Sequence, residues 1–355
     1  MKAKGSTVEL QERIATLAGR SPRGLQELPP GLGHRRFFRV EFDDPDIPRT
    51  LVARVEGRPP ADGVLAAEPE FEPIRAFLAA ADLPVPHSYA DDGEIQLLED
   101  LGDHSLENLA AEADPARCHA LYTEACSLIP RLQRLTPPES GGVAAFERRW
   151  DRPLVATKAR KWLEWSFPLI EGRSASPAER DAITEAFAFV ARACEAAPRR
   201  LAHRDFKAAN LHLRSTADSS ELVMIDLQGA LLAPPEYDLV CLLRDAHVAL
   251  SEAQVQNHLA EFRPQLPDAP DERTFLRRFD LITLVRVAKD LSHYLHAASQ
   301  RGDRRYLRLV PNALANLREA AVRARPRDPE IGPLADVIER APVDLDVFSS
   351  NGAAA

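Results

Sequence analysis

Two short stretches of the chain set carboxylates beside apolar runs. In LAHRDFKAANL, Asp205 is followed five positions on by Asn210; in ELVMIDLQG, Asp226 closes the apolar run Leu222-Val223-Met224-Ile225. Phosphoryl transfer from ATP asks for such parts and for little covalent chemistry besides. One carboxylate orients or deprotonates the attacking hydroxyl, and a second carboxylate with an amide oxygen holds Mg2+ on the phosphates. Asp205, then Asp226 with Asn210, can fill those roles. Either stretch alone could be a surface turn or a strand-end cap. Their spacing, with a polar link from Ser215 to Ser220 between them, makes the pair informative.

A His-x-Asp-x4-Asn loop followed by an apolar run closed with Asp is the pattern of the kinase-like catalytic loop and its metal-binding Asp. HRDFKAANL together with IDLQGALLAPPEYDLVCLLRD resembles the aminoglycoside phosphotransferase and choline kinase family. Within it the likeness is to the branch that phosphorylates N-acetylmuramate and N-acetylglucosamine at the anomeric hydroxyl. Asp226-Leu227-Gln228 stands where that branch has an Asp-Phe-Gln-like motif, and Tyr237-Asp238-Leu239 matches a further family element. The chain has no Ala-Pro-Glu activation segment, so the acceptor is expected to be a small molecule. The resemblance implies an α+β, protein-kinase-like two-lobed fold, with a small β-rich N-lobe and a mainly helical C-lobe. ATP and Mg2+ would sit between the lobes. Asp205 would position the acceptor hydroxyl, Asn210 and Asp226 would hold the metal, and Lys207 would lie near the γ-phosphate. His203 belongs to the same catalytic loop and is expected to buttress it; Asp238 is expected to hold it through backbone or His203 contacts.

The first lobe must position the nucleotide. Val8 to Leu17 has helical apolar spacing and is expected to pack on this lobe. In LPPGLGHRRFFRVEF, Gly31 and Gly33 permit backbone approach to an anion, although glycines alone fit an ordinary hairpin equally. Arg35-Arg36-Phe37-Phe38-Arg39 is similar to the family's phosphate-covering segment, with His34 in place of its usual Ser or Asp. Thr50 to Val55 reads as the third strand, where kinases place a Lys on the phosphates. No Lys occurs between Lys4 and Lys158, so Arg54 is the candidate cation. Of Glu68, Glu70 and Glu72, at the start of a helix running to Ala81, Glu70 is taken as its partner. A solvated acidic first turn explains all three as well. Glu94 to Leu98 is a strand leading into a hinge, where the backbone of Glu99, Asp100 and Leu101 would read the adenine edge. The expected organisation is a helix over 1–27 on the N-lobe, an N-lobe over 28–101, a C-lobe over 102–345 and a disordered tail over 346–355.

In the second lobe, Phe146 to Ile170 holds all three tryptophans among Arg and Lys residues. Aromatic faces and hydrogen-bonding groups suit a sugar, so Trp150 and Trp165, with Gln228, are the expected acceptor contacts. Each Trp also reads as packing of the insert onto the lobe. Phe275 to Ala298 carries a broad apolar stripe fit for a core helix.

Composition excludes several classes. A net charge of −9, from 54 acidic against 45 basic side chains, argues against a nucleic-acid partner. The four cysteines lack metal-ligand spacing and are expected to be buried free thiols. No apolar run is long enough to span a bilayer, and the N-terminus lacks an apolar signal core, so a cytoplasmic, monomeric protein is expected. The functional expectation is an ATP-dependent kinase for an amino sugar. Its rivals are a kinase for an aminoglycoside or a choline-like alcohol, and a nucleotide-binding regulatory module. The first-lobe Lys gap motivates the last, and the intact Asp205, Asn210 and Asp226 set opposes it.

Overall fold

The computed structural model describes residues 7–29, 35–57, 69–215 and 219–342. The backbone gathers into two compact units, each with its own core. The first comprises Met1–Pro69, Pro84–His104 and His212–Ile225. It contains α1 (Thr7–Ala18), β1 (Gly24–Glu27), β2 (Arg36–Glu41) and β3 (Thr50–Val55). The chain then makes α2 (Phe71–Ala80), which belongs to the second unit, before β4 (Ser88–Asp91) and β5 (Ile95–Glu99) complete an antiparallel sheet of order β1-β2-β3-β5-β4.

Alternation along β2 and β3 sends Phe38, Val40, Leu51 and Ala53 to one side, where Ile95 and Leu97 of β5 join them. Ile14 of α1 buries against this cluster, with Leu10 and Leu17 beside it. Each buried aliphatic side chain contributes about 1.5–3 kcal/mol, so this small core depends on α1 covering the sheet.

The second unit runs through α3 (Leu106–Glu112), α4 (Pro115–Gln133), α5 (Arg152–Lys161), α6 (Phe167–Glu171) and α7 (Pro177–Ala193). Ser105 caps α3 by accepting from the Asn108 N–H, and Ser176 with Glu179 forms a reciprocal capping box on α7. Between α5 and α6, Trp162–Ser166 forms one widened π turn. Next come β6 (Arg200–Ala202), the hairpin of β7 (Leu211–Ser215) and β8 (Ser220–Met224), and β9 (Leu231–Ala233), which pairs antiparallel with β6.

The remaining helices are α8 (Tyr237–Leu243), α9 (Glu252–Phe262), α10 (Glu272–Arg301), α11 (Val310–Ala324) and α12 (Gly332–Arg340). Helix α10 begins where Asp271 accepts from the Thr274 N–H and ends at Gly302, whose φ of 67° stops it. Phe279, Leu281, Ile282, Leu284 and Val285 are buried around most of its circumference, which makes it the spine of this unit. Relative to a single cut after residue 101, two segments change sides. Residues 70–83 carry Phe71, Ile74 and Leu78 into the helical unit, and the hairpin 212–225 joins the sheet-bearing unit, where Met224 N–H donates to Pro84 O.

Candidate active site

The loop between β6 and β7 is fastened from below by two buried carboxylates. Asp238, in the first turn of α8, accepts from the His203 N–H at 2.7 Å and the Arg204 N–H at 3.1 Å. Asp245 accepts from the Ala208 N–H at 2.8 Å and is itself met by His247 Nδ1 at 2.6 Å. Cys241 adds an S–H contact to Arg204 O at 3.2 Å. Arg204 sits at φ 78°, a left-handed conformation that costs free energy in a non-glycine residue, and these anchors on both sides hold it there. Burial pushes the Asp238 carboxyl up to about 6, against the opposing pull of His203 and the two N–H donors.

Asp205, Asn210 and Asp226 come together in this unit. Asn210 Nδ2 donates to Asp205 O at 2.9 Å and approaches Asp226 Oδ2 at 3.5 Å. With its amide N–H groups so directed, Asn210 keeps Oδ1 for another partner. Asp226 is also left-handed, at φ 63°. Its turn is gripped by the Arg148 guanidinium, which donates to the carbonyls of Gln228, Gly229 and Ala230 at 3.1–3.3 Å. Among the described residues no group of three or more His, Cys, Asp or Glu could hold a metal by itself. The set present, one carboxylate and one amide oxygen, fits a hard divalent cation whose other ligands are phosphate oxygens and water.

Asp205 is surrounded by cations. Arg286 Nη2 donates to its Oδ1 at 3.0 Å, Lys289 Nζ lies 3.6 Å from the same oxygen and Arg204 Nε 4.0 Å from Oδ2. Burial alone would raise this carboxyl, but Lys289, Arg286 and Arg204 together hold it well below the usual carboxylate range. Its side chain keeps 23 % of its surface accessible, so the charged group is reachable. Arg286 is braced in turn by Asp290 and Cys241 Sγ. Arg286, Lys289, Asp290 and His293 follow one another at helical i, i+3, i+4 and i+7 spacing, which puts them along one side of α10.

Several sequence-predicted residues take other places. Trp150 has no accessible surface; it packs on Tyr237, with Lys158 Nζ near its ring, so it is core and not an acceptor wall. Trp165 is half-buried and retains an accessible face. Gln228 is buried, and its Nε2 donates to Asp226 Oδ1 at 2.6 Å, which orients the carboxylate. His203, 2 % exposed, lies edge-on to Phe206, a place that fits a support of the loop. Lys207 is half-buried, with its N–H on Asp205 O. No motif in the sequence marks the roles of Arg286, Lys289, Arg148 and Asp245. An i, i+3, i+4 charge set inside the apolar Phe275–Ala298 stretch was the one available signal.

In the sheet-bearing unit, Arg54 is buried on β3 and pairs with Glu56 at 2.5 Å. Arg35 Nε reaches both oxygens of the same Glu56 at 3.2 Å. Glu56 thus supplies, within this unit, a carboxylate for Arg54. Glu70 stands at the N-cap of α2 without a side-chain capping bond, and Glu72 pairs with Arg75. The end of β5 and the residue after it are locked by two arginines. Arg39 binds Asp100 at 2.8 and 3.2 Å, and Arg214 binds Glu99 at 2.8 and 2.6 Å. Asp100 Oδ1 also accepts from the Gly102 N–H at 3.0 Å. The Glu99 N–H is taken by His87 O at 2.9 Å and is closed to a ligand, while Leu101 beyond it is half-buried. Gly33 lies outside the described residues.

Comparison with known proteins agrees with this geometry. The chain is 28 % identical over 284 residues to an N-acetylmuramate/N-acetylglucosamine kinase of Pseudomonas putida, covering 76 % of this chain and 80 % of that one. A kinase of the same name from Pseudomonas aeruginosa is 27 % identical, with 84 % of each chain covered. Among solved structures, the gentamicin complex of APH(2")-IIa superposes with a TM-score of 0.60 at 15 % identity, over 89 % of this chain and 97 % of that one. A choline/ethanolamine kinase family protein from Mesorhizobium loti gives 0.59 at 13 % identity, over 94 % and 98 %. These structural likenesses establish the two-lobed kinase-like α+β fold. The model of the phosphotransferase enzyme family matches residues 24–276, and the chain belongs to that family as a small-molecule phosphotransferase.

Proposed function

We propose that this enzyme transfers the γ-phosphoryl group of ATP to the anomeric hydroxyl of an amino sugar such as N-acetylmuramate or N-acetylglucosamine. The observation that carries the reading is the convergence of Asp205, Asn210 and Asp226 beside a cationic and aromatic face made by Lys289, Lys161 and Trp165. The named kinases among its relatives support the acceptor class. A polycationic aminoglycoside or a choline-like cation would meet repulsion from that face.

Asp205 receives the acceptor hydroxyl. Because Arg286 and Lys289 depress its basicity, it orients the oxygen and takes the proton only as the new bond forms. The acceptor oxygen bonds to the γ-phosphorus as the bond to the β-bridging oxygen breaks, and ADP departs with that electron pair. Asn210 Oδ1 and Asp226 would hold Mg2+, which offsets charge on the phosphates when bound. Arg54 and Arg35, which both pair with Glu56, would contact phosphate oxygens. The backbone after Glu99, at Asp100 and Leu101, would take the adenine edge, and Gly33 would lie over the phosphates.

The test is ADP release with Mg2+ across N-acetylmuramate, N-acetylglucosamine, plain hexoses, choline and an aminoglycoside, with phosphorus NMR of the product. An anomeric phosphate on an amino sugar is expected. Turnover confined to choline or the aminoglycoside would overturn the acceptor assignment.

A further inference from the structure

Lysine is scarce in this chain, with six among 45 basic residues, yet four of the six, Lys158, Lys161, Lys207 and Lys289, cluster in the catalytic unit. Their surroundings differ. Lys289 is matched by Asp205 and by Asp290, the latter at 3.1 Å. Lys158 is fully buried on Tyr237 Oη at 3.3 Å. Lys161 is half-buried, and among the described residues no carboxylate lies within ion-pairing distance of it. Its Nζ instead meets His293 Nε2 at 3.2 Å and stands over the Trp165 ring at 5.2 Å.

The place is built. The π turn Trp162–Ser166 follows Lys161 directly, and such turns recur at functional sites because they re-aim side chains. Here Trp165 stacks on His296 at 4.1 Å between centroids and meets His293 edge-on at 5.3 Å. His293 lies one turn of α10, about 5.4 Å, beyond the Lys289 that touches Asp205, a separation on the scale of a pyranose ring. A neutral imidazole accepts one N–H of the ammonium and leaves two donors for a ligand. An ammonium partly removed from water without a counter-charge is costly until an anion arrives.

We propose that Lys161, His293 and Trp165 form a subsite for a carboxylate carried by the acceptor, so that a carboxylated amino sugar is preferred over its neutral counterpart. This rests on the reading of the Asp205 region as an amino-sugar site. Burial, then Lys289, Arg204 and Arg160, bring the Lys161 ammonium down to about 8, while Asp205 pulls the other way. His293 is held well below the usual imidazole range by burial and by Lys289 and Lys161, so it stays neutral. His296, Glu164 and Asp290 complete the titratable groups around this corner. The sign follows directly. The ammonium is present below about 8 and is lost above it, so affinity for the carboxylated acceptor declines as pH rises through 8.

The experiment compares kcat/KM for N-acetylmuramate, which carries a lactyl carboxylate, and for neutral N-acetylglucosamine, at pH 7 and 9, in wild type, Lys161→Met and Lys161→Arg. Lys161→Met should lose about tenfold or more on the carboxylated sugar relative to the neutral one, mainly through KM. Lys161→Arg should keep the preference while abolishing its decline between pH 7 and 9. Equal losses on both sugars, or a wild-type preference independent of pH, would overturn the subsite while leaving the kinase reading intact. If the wild type phosphorylates neither sugar, the acceptor reading falls and the subsite with it. Circular dichroism of both variants separates a folding defect from a binding one.

Discussion

The two units use charge in opposite ways. In the sheet-bearing unit four arginines each meet a carboxylate: Arg39 binds Asp100, Arg214 binds Glu99, and Arg54 with Arg35 binds Glu56. Around the catalytic loop several cations converge on one carboxylate. Arg286, Lys289 and Arg204 surround Asp205, with Asp290 sharing the first two, and Lys161 meets the neutral His293 and the Trp165 ring. The ion pairs of the sheet-bearing unit lock backbone in place. The cations that converge on Asp205 keep it ionised in a half-buried place.

The sharpest way to break this contrast is at the loop. Asp226→Ala removes the carboxylate steadied by Gln228 and Asn210, and turnover should fall about a thousandfold or more. Turnover near that of the wild type would remove Asp226 from the chemistry. Arg286→Gln strips the hydrogen-bonded cation from Asp205 and should lower kcat by about 10–100-fold. It should also move the acid limb of the pH–rate profile upward. The sign follows because the wild-type carboxyl is held low, stays ionised further into acid, and loses that advantage with the guanidinium. An unmoved acid limb would show that another group sets it.

The tryptophans supply a smaller contrast. Trp165→Ala should raise the acceptor KM about tenfold, whereas Trp150→Phe should cost about 1–3 kcal/mol of stability in thermal unfolding with little change in that KM. The reverse pattern would restore Trp150 as an acceptor contact. Smallest is Arg214→Lys, where a forked pair on Glu99 becomes a point charge. A rise of about two- to fivefold in the KM for ATP is expected, with kcat unchanged; an effect on kcat alone would contradict a purely positioning role.

What could be read in the sequence followed chain distance. The grouping of Asp205, Asn210 and Asp226 was legible because they sit in two short stretches with fixed spacing, and the anchoring by Asp238 because its element follows closely. Strand Thr50–Val55 was legible from its flanks and apolar content, and the structure has β3 over those residues. The cations on α10 were hidden because Arg286 and Lys289 interrupt a run whose apolar residues already explain a core helix. Trp150 was misassigned since an aromatic residue in a basic insert fits a sugar wall and a core equally; only burial separates it from Trp165, fifteen positions on. Glu56, which pairs with Arg54 from two residues away, carries no motif that marks it in the sequence. The π turn at Trp162–Ser166 has no marker in residue type at all.

The most direct measurement is single-turnover transfer by Asp205→Asn alongside the wild type, with ATP affinity measured on both. If Asp205 positions the acceptor hydroxyl, the variant should bind ATP as tightly as the wild type yet transfer its phosphoryl group to the amino sugar about 10²–10⁴-fold more slowly. Wild-type transfer by Asp205→Asn, with unaltered ATP affinity, would contradict the assignment of this carboxylate to the reacting hydroxyl.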